Sequence, residues 1–142
     1  IIHEVTKDHP GSFSLSQEWI KEYGDTKAKV DFYGAYVPET DVFGARWLVE
    51  HKDDTMNVYA DRTRRDNVLN SYGMIPRGRP VLSNTTPRIE KDAYIYLGHL
   101  NAVEEIGTGP FFYRDFWNMT EIFPLIEKRN KIYTNACNEI YG

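Results

Sequence analysis

The stretch Ile89-Glu90-Lys91-Asp92-Ala93-Tyr94-Ile95-Tyr96-Leu97-Gly98-His99-Leu100 decides the fold class. Residues 93–97 form an unbroken apolar and aromatic run, which predicts a strand. Glu90 and Asp92 stand two apart at its mouth, and a period of two puts both on one face. Such a pair is suited to touching a ribose hydroxyl and a nucleophile. Two exposed strand-end acids account for the spacing equally well.

Upstream of this run the chain alternates between short elements. Met56 to Ala60 reads as a second strand, with Met56, Val58 and Ala60 alternating. Thr40 or Asp41 is placed to cap a helix through Glu50 that buries Val42, Phe43, Trp47 and Leu48. Val30 to Val37 alternates as a strand, with Val30, Phe32, Gly34 and Tyr36 on one side. Ser14-Leu15-Ser16-Gln17 has the form of a capping box. The helix it opens carries Trp19, Ile20 and Tyr23 and stops at Gly24.

Between these strands, residues 73–88 hold Gly73, Pro76, Gly78, Pro80 and Pro87, the pattern of a long irregular loop. Downstream, Gly107, Gly109 and Pro110 mark a turn, and Phe111 to Tyr113 reads as a short strand. The tail over 114–142 is helical in pattern and broken at Pro124. Short strands with peripheral helices make an α+β fold the expected class, in one domain over 1–142.

Composition narrows the function classes. The 142 residues are 41% hydrophobic and 14% aromatic, too rich for disorder, and carry a formal charge of −4. That charge speaks against a nonspecific grip on nucleic acid or an anionic membrane. No apolar run reaches the ~20 residues of a membrane span. The lone Cys137 excludes an intrachain disulfide framework and a cysteine-cluster zinc site. Ile1 in place of an initiating Met reads as a processing boundary, and the sequons at Asn84 and Asn118 fit secretion.

His3, His9, His51 and His99 lack the i, i+4 spacing of a helical metal pair, so no metal is expected. Walker, dinucleotide-fold and nucleophile-elbow motifs are also missing. Arg62, Arg64, Arg65, Arg77, Arg79 and Arg88 stand out in an acidic chain. They read either as a solvated face paired to carboxylates or as a site for a phosphate-bearing ligand or acidic partner.

Several short motifs, in order, resemble the cholera and heat-labile enterotoxin type of ADP-ribosyltransferases and their fungal secreted relatives. Asp8-His9-Pro10-Gly11 is similar to the segment whose His holds NAD. Gly34-Ala35-Tyr36-Val37-Pro38-Glu39-Thr40 resembles the family's Gly-Tyr-Val-Ser-Thr-Ser strand. Glu90-Lys91-Asp92 falls where the family has Glu-x-Glu, and Gly98-His99-Leu100 to Glu105-Ile106 resembles its Gly-Ile-Pro…Glu-Asn-Ile segment. A second register matches Tyr59-Ala60-Asp61-Arg62 through Arg77-Gly78 to the family's opening strand.

The resemblance implies a split mixed β-sheet core. It implies NAD held by His9, Tyr36 and Thr40, and Glu90 and Asp92 as the catalytic acids. The departures imply lost catalysis: no NAD-phosphate Arg precedes His9, Pro38 replaces a Ser, and Asp92 is one methylene shorter than Glu. The expectation is a secreted, toxin- or effector-like protein, delivered into host cells or acting outside them, that works by binding a host protein. One alternative is an active NAD-dependent transferase completed by a second processed chain tethered through Cys137. The other is an unrelated α+β interaction module.

Overall fold

The computed structural model describes residues 24–72, 75, 81–112 and 115–142. The expected capping box and first helix, His3, His9, Arg77, Arg79, most of the glycines and prolines of the long loop, Tyr113 and Arg114 lie outside them.

Helix α1 spans Thr26–Ala35 where a strand is expected over 30–37. Asp25 decides the outcome: its Oδ1 accepts from the Ala28 N–H at 2.8 Å, capping the helix. Val30 and Tyr33, three apart, are the residues it buries, so the 3.6 period wins over the alternation of Val30, Phe32, Gly34 and Tyr36. The helix ends at Tyr36, where the chain turns extended before Pro38.

Helix α2, Glu39–His51, matches the expected helix, but its cap does not. Pro38 occupies the N-cap, and Asp41 lies buried within the first turn. The buried positions are Asp41, Gly44, Ala45 and Leu48, an i, i+3, i+4, i+7 stripe. At Gly44 an added Cβ would fall 1.9 Å from the Asn138 Oδ1, so the helix packs on the Asn138 side chain there only because Gly44 has none.

Strand β1 is Asn57–Tyr59 and β2 is Ala93–Leu97, paired in parallel with Asn57 opposite Ala93. Between them run a short helix, α3 (Arg62–Arg64), and a π-helical turn, Arg65–Leu69. After β2 come α4 (His99–Ala102), β3 (Ile106–Thr108) and β4 (Phe116–Asn118), the last two forming a separate antiparallel pair.

The expected helical tail is mostly something else. A 3-10 turn, Met119–Ile122, and one helical turn, α5 (Phe123–Ile126), lead into strands β5 (Lys131–Thr134) and β6 (Glu139–Tyr141). Turn chemistry explains the difference. Asn135 Oδ1 accepts from the Asn138 N–H at 3.0 Å, and Ala136 takes φ 78°, folding the segment into a hairpin. The main sheet therefore has the order β1-β2-β6-β5, with β6 antiparallel to both neighbours. Phe111 and Phe112, expected in a strand, lie in the β3–β4 connection.

Alternation along β2 sends its residues to two cores. Tyr96 joins Ala45 and Leu48 of α2, Val58, Val68 and Ile140. Ala93, Ile95 and Leu97 join Leu82, Trp117, Met119, Ile122 and Ile126 on the other face. Burial on both faces is why β2 reads as a continuous apolar run. The described residues are thus α+β, with helices and the β3–β4 pair flanking a mixed sheet.

Candidate functional site

Both parallel strands end at the same edge of the sheet, the place where α/β folds commonly bind ligands. Here the chain fills that place with its own polar side chains. Asp61 follows β1, and its Oδ1 caps α3 by accepting from the Arg64 N–H at 2.8 Å. Its Oδ2 accepts from Asn101 Nδ2 at 2.7 Å and from the Thr108 N–H at 3.0 Å. The Arg64 guanidinium donates to the Tyr33 carbonyl at 2.6 Å and meets Asp41 Oδ2 at 3.3 Å. Asp41 Oδ1 accepts from the His99 N–H at 2.8 Å, and its carbonyl accepts from the Tyr96 hydroxyl at 2.5 Å.

Asp41, Asp61 and Arg64 are each 0% exposed, so this node joins α1, α2, α3, α4 and β3 rather than meeting a substrate. Burial pushes the Asp41 carboxyl above its usual range, against the pull of Arg64 and of the His99 N–H. Burial likewise holds the Tyr96 phenol well above its ordinary value.

Gly98 marks how tight the node is. A Cβ there would lie 2.6 Å from both Arg64 Cδ and Asp41 Oδ2, neither of which has room to retreat. Gly98→Ala is therefore expected to cost about 2 kcal/mol by overpacking, read as a lowered urea midpoint with an unchanged slope. A midpoint equal to that of the parent chain contradicts this.

The expected NAD and catalytic residues are spread apart. Thr40 sits in the first turn of α2, with its carbonyl bonded to Asn135 Nδ2 at 2.8 Å. Tyr36 ends α1 and packs on Phe32 at 5.3 Å, its phenol raised by burial and then by Glu39 and Asp41. Both lie near the C-terminal end of β2. Glu90 and Asp92 are exposed at its N-terminal end, and Glu90 accepts from Asn57 Nδ2 at 3.0 Å. The five residues of β2, about 16 Å of strand, separate the two groups.

The described arginines do not gather into one anion site either. Arg64 is core. Arg62 and Arg65 both reach Asp66, at 3.8 and 3.1 Å. Arg62 also donates through Nη1 to the carbonyls of Pro110 and Phe111, at 3.0 and 2.9 Å. That fork holds the β3–β4 connection, which the Gly109 N–H closes onto the Asp115 carbonyl at 2.9 Å. Phe111 and Phe112 stand out from it, 77% and 69% exposed.

Arg88 lies at the opposite end of the sheet. There a groove of about 430 Å³ is lined by Arg88, Lys91, Lys128 and Arg129, with Ile89, Pro124 and Leu125 as apolar lining. Lys91 sits between Glu90 and Asp92, and Lys128, in the turn after α5, joins it through tertiary structure alone.

Among the described residues no group of three or more His, Cys, Asp or Glu side chains gathers as a metal site. Cys137 is a free, half-buried thiol in the β5–β6 turn. Of the two sequons, Asn84 is exposed in a turn, while Asn118 Oδ1 accepts from the Thr120 N–H and hydroxyl at 3.0 and 2.9 Å. Among the described residues no helix is long and apolar enough to cross a membrane.

No curated protein and no solved structure matches the chain. A family model described as "Predicted membrane protein (DUF2206)" matches residues 1–141, nearly the whole sequence. The chain therefore belongs to the DUF2206 family of predicted membrane proteins.

Proposed function

We propose that these residues form a water-facing domain of a membrane protein that rests on the lipid surface through the Phe111–Phe112 loop and works by binding rather than by chemistry. The observation that carries this reading is the loop itself. Two adjacent phenylalanines are the most exposed of the large apolar side chains in the described residues, on a connection that Arg62 and Gly109 hold in place. A segment whose Pro110 and Phe111 carbonyls are already held by Arg62 loses less conformational freedom on docking, so more of its apolar transfer energy is left to drive association. Aromatic side chains are favoured at the boundary of headgroups and acyl chains. The family's description as membrane proteins supports lipid as the occupant.

Binding without catalysis is the part retained from the toxin- or effector-like expectation. Thr40 and the Glu90–Asp92 pair lie at opposite ends of β2, so no NAD step is built on them.

The test is co-sedimentation with phosphatidylcholine vesicles, which carry no net charge. Phe111→Ser together with Phe112→Ser is expected to lower partitioning about tenfold or more, since each Phe contributes roughly 1 kcal/mol when partly buried. Phe111→Trp supplies a second measurement, a blue-shifted emission on adding vesicles. Unchanged partitioning of the double variant overturns the reading. So does vesicle-free self-association that the same variant abolishes, because it assigns the loop to a second copy.

A further inference from the structure

We propose that the groove at the opposite end of the sheet binds the phosphate group of an anionic ligand. Arg88, Lys91 and Lys128 are exposed around it, and no Asp or Glu side chain is among its lining residues. That is a local reversal of sign in a chain whose formal charge is −4. Three like charges around one groove repel one another, and a bound anion relieves that repulsion. Arg88 offers the planar fork that matches two phosphate oxygens, and the lysines add compact charges.

Arg129 gives the groove its shape. Its Nη1 donates to the Ala93 carbonyl at 2.9 Å, and its Nη2 donates to the carbonyls of Ile89, at 3.3 Å, and Glu90. The segment carrying Arg88 and Lys91 is thereby stitched to the turn that carries Lys128. The positioning work falls to Arg129, and the other three cations are left for the ligand.

Phosphate can come from a soluble ligand or from a lipid headgroup. The groove lies at the other end of β2 from the Phe111–Phe112 loop, so it does not depend on the lipid reading of that loop. Inorganic pyrophosphate, titrated at low ionic strength and followed by amide chemical shifts, is expected to give saturable changes confined to the groove. Arg88→Gln with Lys91→Gln and Lys128→Gln is expected to weaken them at least about tenfold, as is raising salt toward 0.5 M. Arg129 is left intact, so the groove keeps its stitching, and an unchanged urea midpoint shows that the fold survives.

A parallel arm compares vesicles of phosphatidylglycerol with phosphatidylcholine. Capture by phosphatidylglycerol alone, lost in the triple variant, assigns the phosphate to a headgroup. Pyrophosphate binding without such capture assigns it to a soluble ligand. Shifts that do not saturate, or that persist unchanged in the triple variant, overturn the site.

Discussion

Arg64→Met is expected to destabilise the domain by about 3–5 kcal/mol, a large part of the roughly 5–15 kcal/mol that holds a small domain folded. The substitution keeps most of the side-chain volume, so little of the loss comes from a cavity. What it removes is the guanidinium that meets Asp41 at 3.3 Å and the Tyr33 carbonyl at 2.6 Å, both in a region closed to water. The cost arises from the partner left behind, a buried carboxylate without its cation. Adding Asp41→Asn is therefore expected to recover part of the loss. The amide oxygen still accepts from the His99 N–H, and no charge remains to be buried. A double variant as unstable as the sum of the singles refutes this coupling.

The same pair predicts a pH dependence. Burial raises the folded-state pKa of Asp41 above its unfolded value, so the folded chain holds that proton more tightly. Its contribution is fully present below the unfolded pKa and is lost as pH rises through the folded one. Removing Arg64 takes away a cation that lowers that pKa, and so widens the window. The deficit of Arg64→Met relative to the parent chain should therefore shrink as pH falls from neutrality toward about 4, the ordinary carboxylate range. Urea midpoints at several pH values check this, and a deficit constant with pH contradicts it.

Legibility in the sequence follows the range of the forces involved. The span of α2 is close to the expected one, but of Val42, Phe43, Trp47 and Leu48 it fully buries only Leu48, its stripe being Asp41, Gly44, Ala45 and Leu48. Strand β2 coincides residue for residue with its apolar run, because that pattern lies within one element. Strand β1 is close for the same reason. Residues 26–35 carry two periods at once, and the Asp25 cap settles a contest that alternation alone leaves open. The tail carries helical spacing, yet the Asn135–Asn138 turn and the pairing of β6 with β2 override it through contacts distant in sequence.

The sites were less legible still. An arginine in an acidic chain reads as a surface cation, and nothing near Arg64 announces that Asp41, 23 residues away, waits in the core. The groove was half visible: Arg88 and Lys91 flank Glu90, whereas Lys128 and the stitching by Arg129 depend on the turn after α5. Phe111 and Phe112 resemble strand residues until Arg62, 48 residues from Pro110, fixes the connection as a loop.

Asp61→Ala should be the most damaging change to the node after Arg64, costing about 4 kcal/mol. One carboxylate serves three buried donors: the Arg64 N–H, the Thr108 N–H and the Asn101 side-chain amide. A lost helix cap is worth about 1 kcal/mol. Each of the other donors, left unpaired away from water, costs roughly 1–3 kcal/mol. Asp61→Asn separates these contributions. Its remaining oxygen can keep the cap or face the other two donors, but its NH₂ then opposes whichever side it turns toward, so about half the loss should persist. Because Asp61 ties the end of β1 to α4 and β3, the damage should be local before it is global. Amide hydrogen exchange is expected to quicken first at Arg64 and Thr108, while the amides of β2 that bond to β6 stay slow. Retained protection at Thr108 in Asp61→Ala, with a urea midpoint near that of the parent chain, would show that the carboxylate is not what joins these elements.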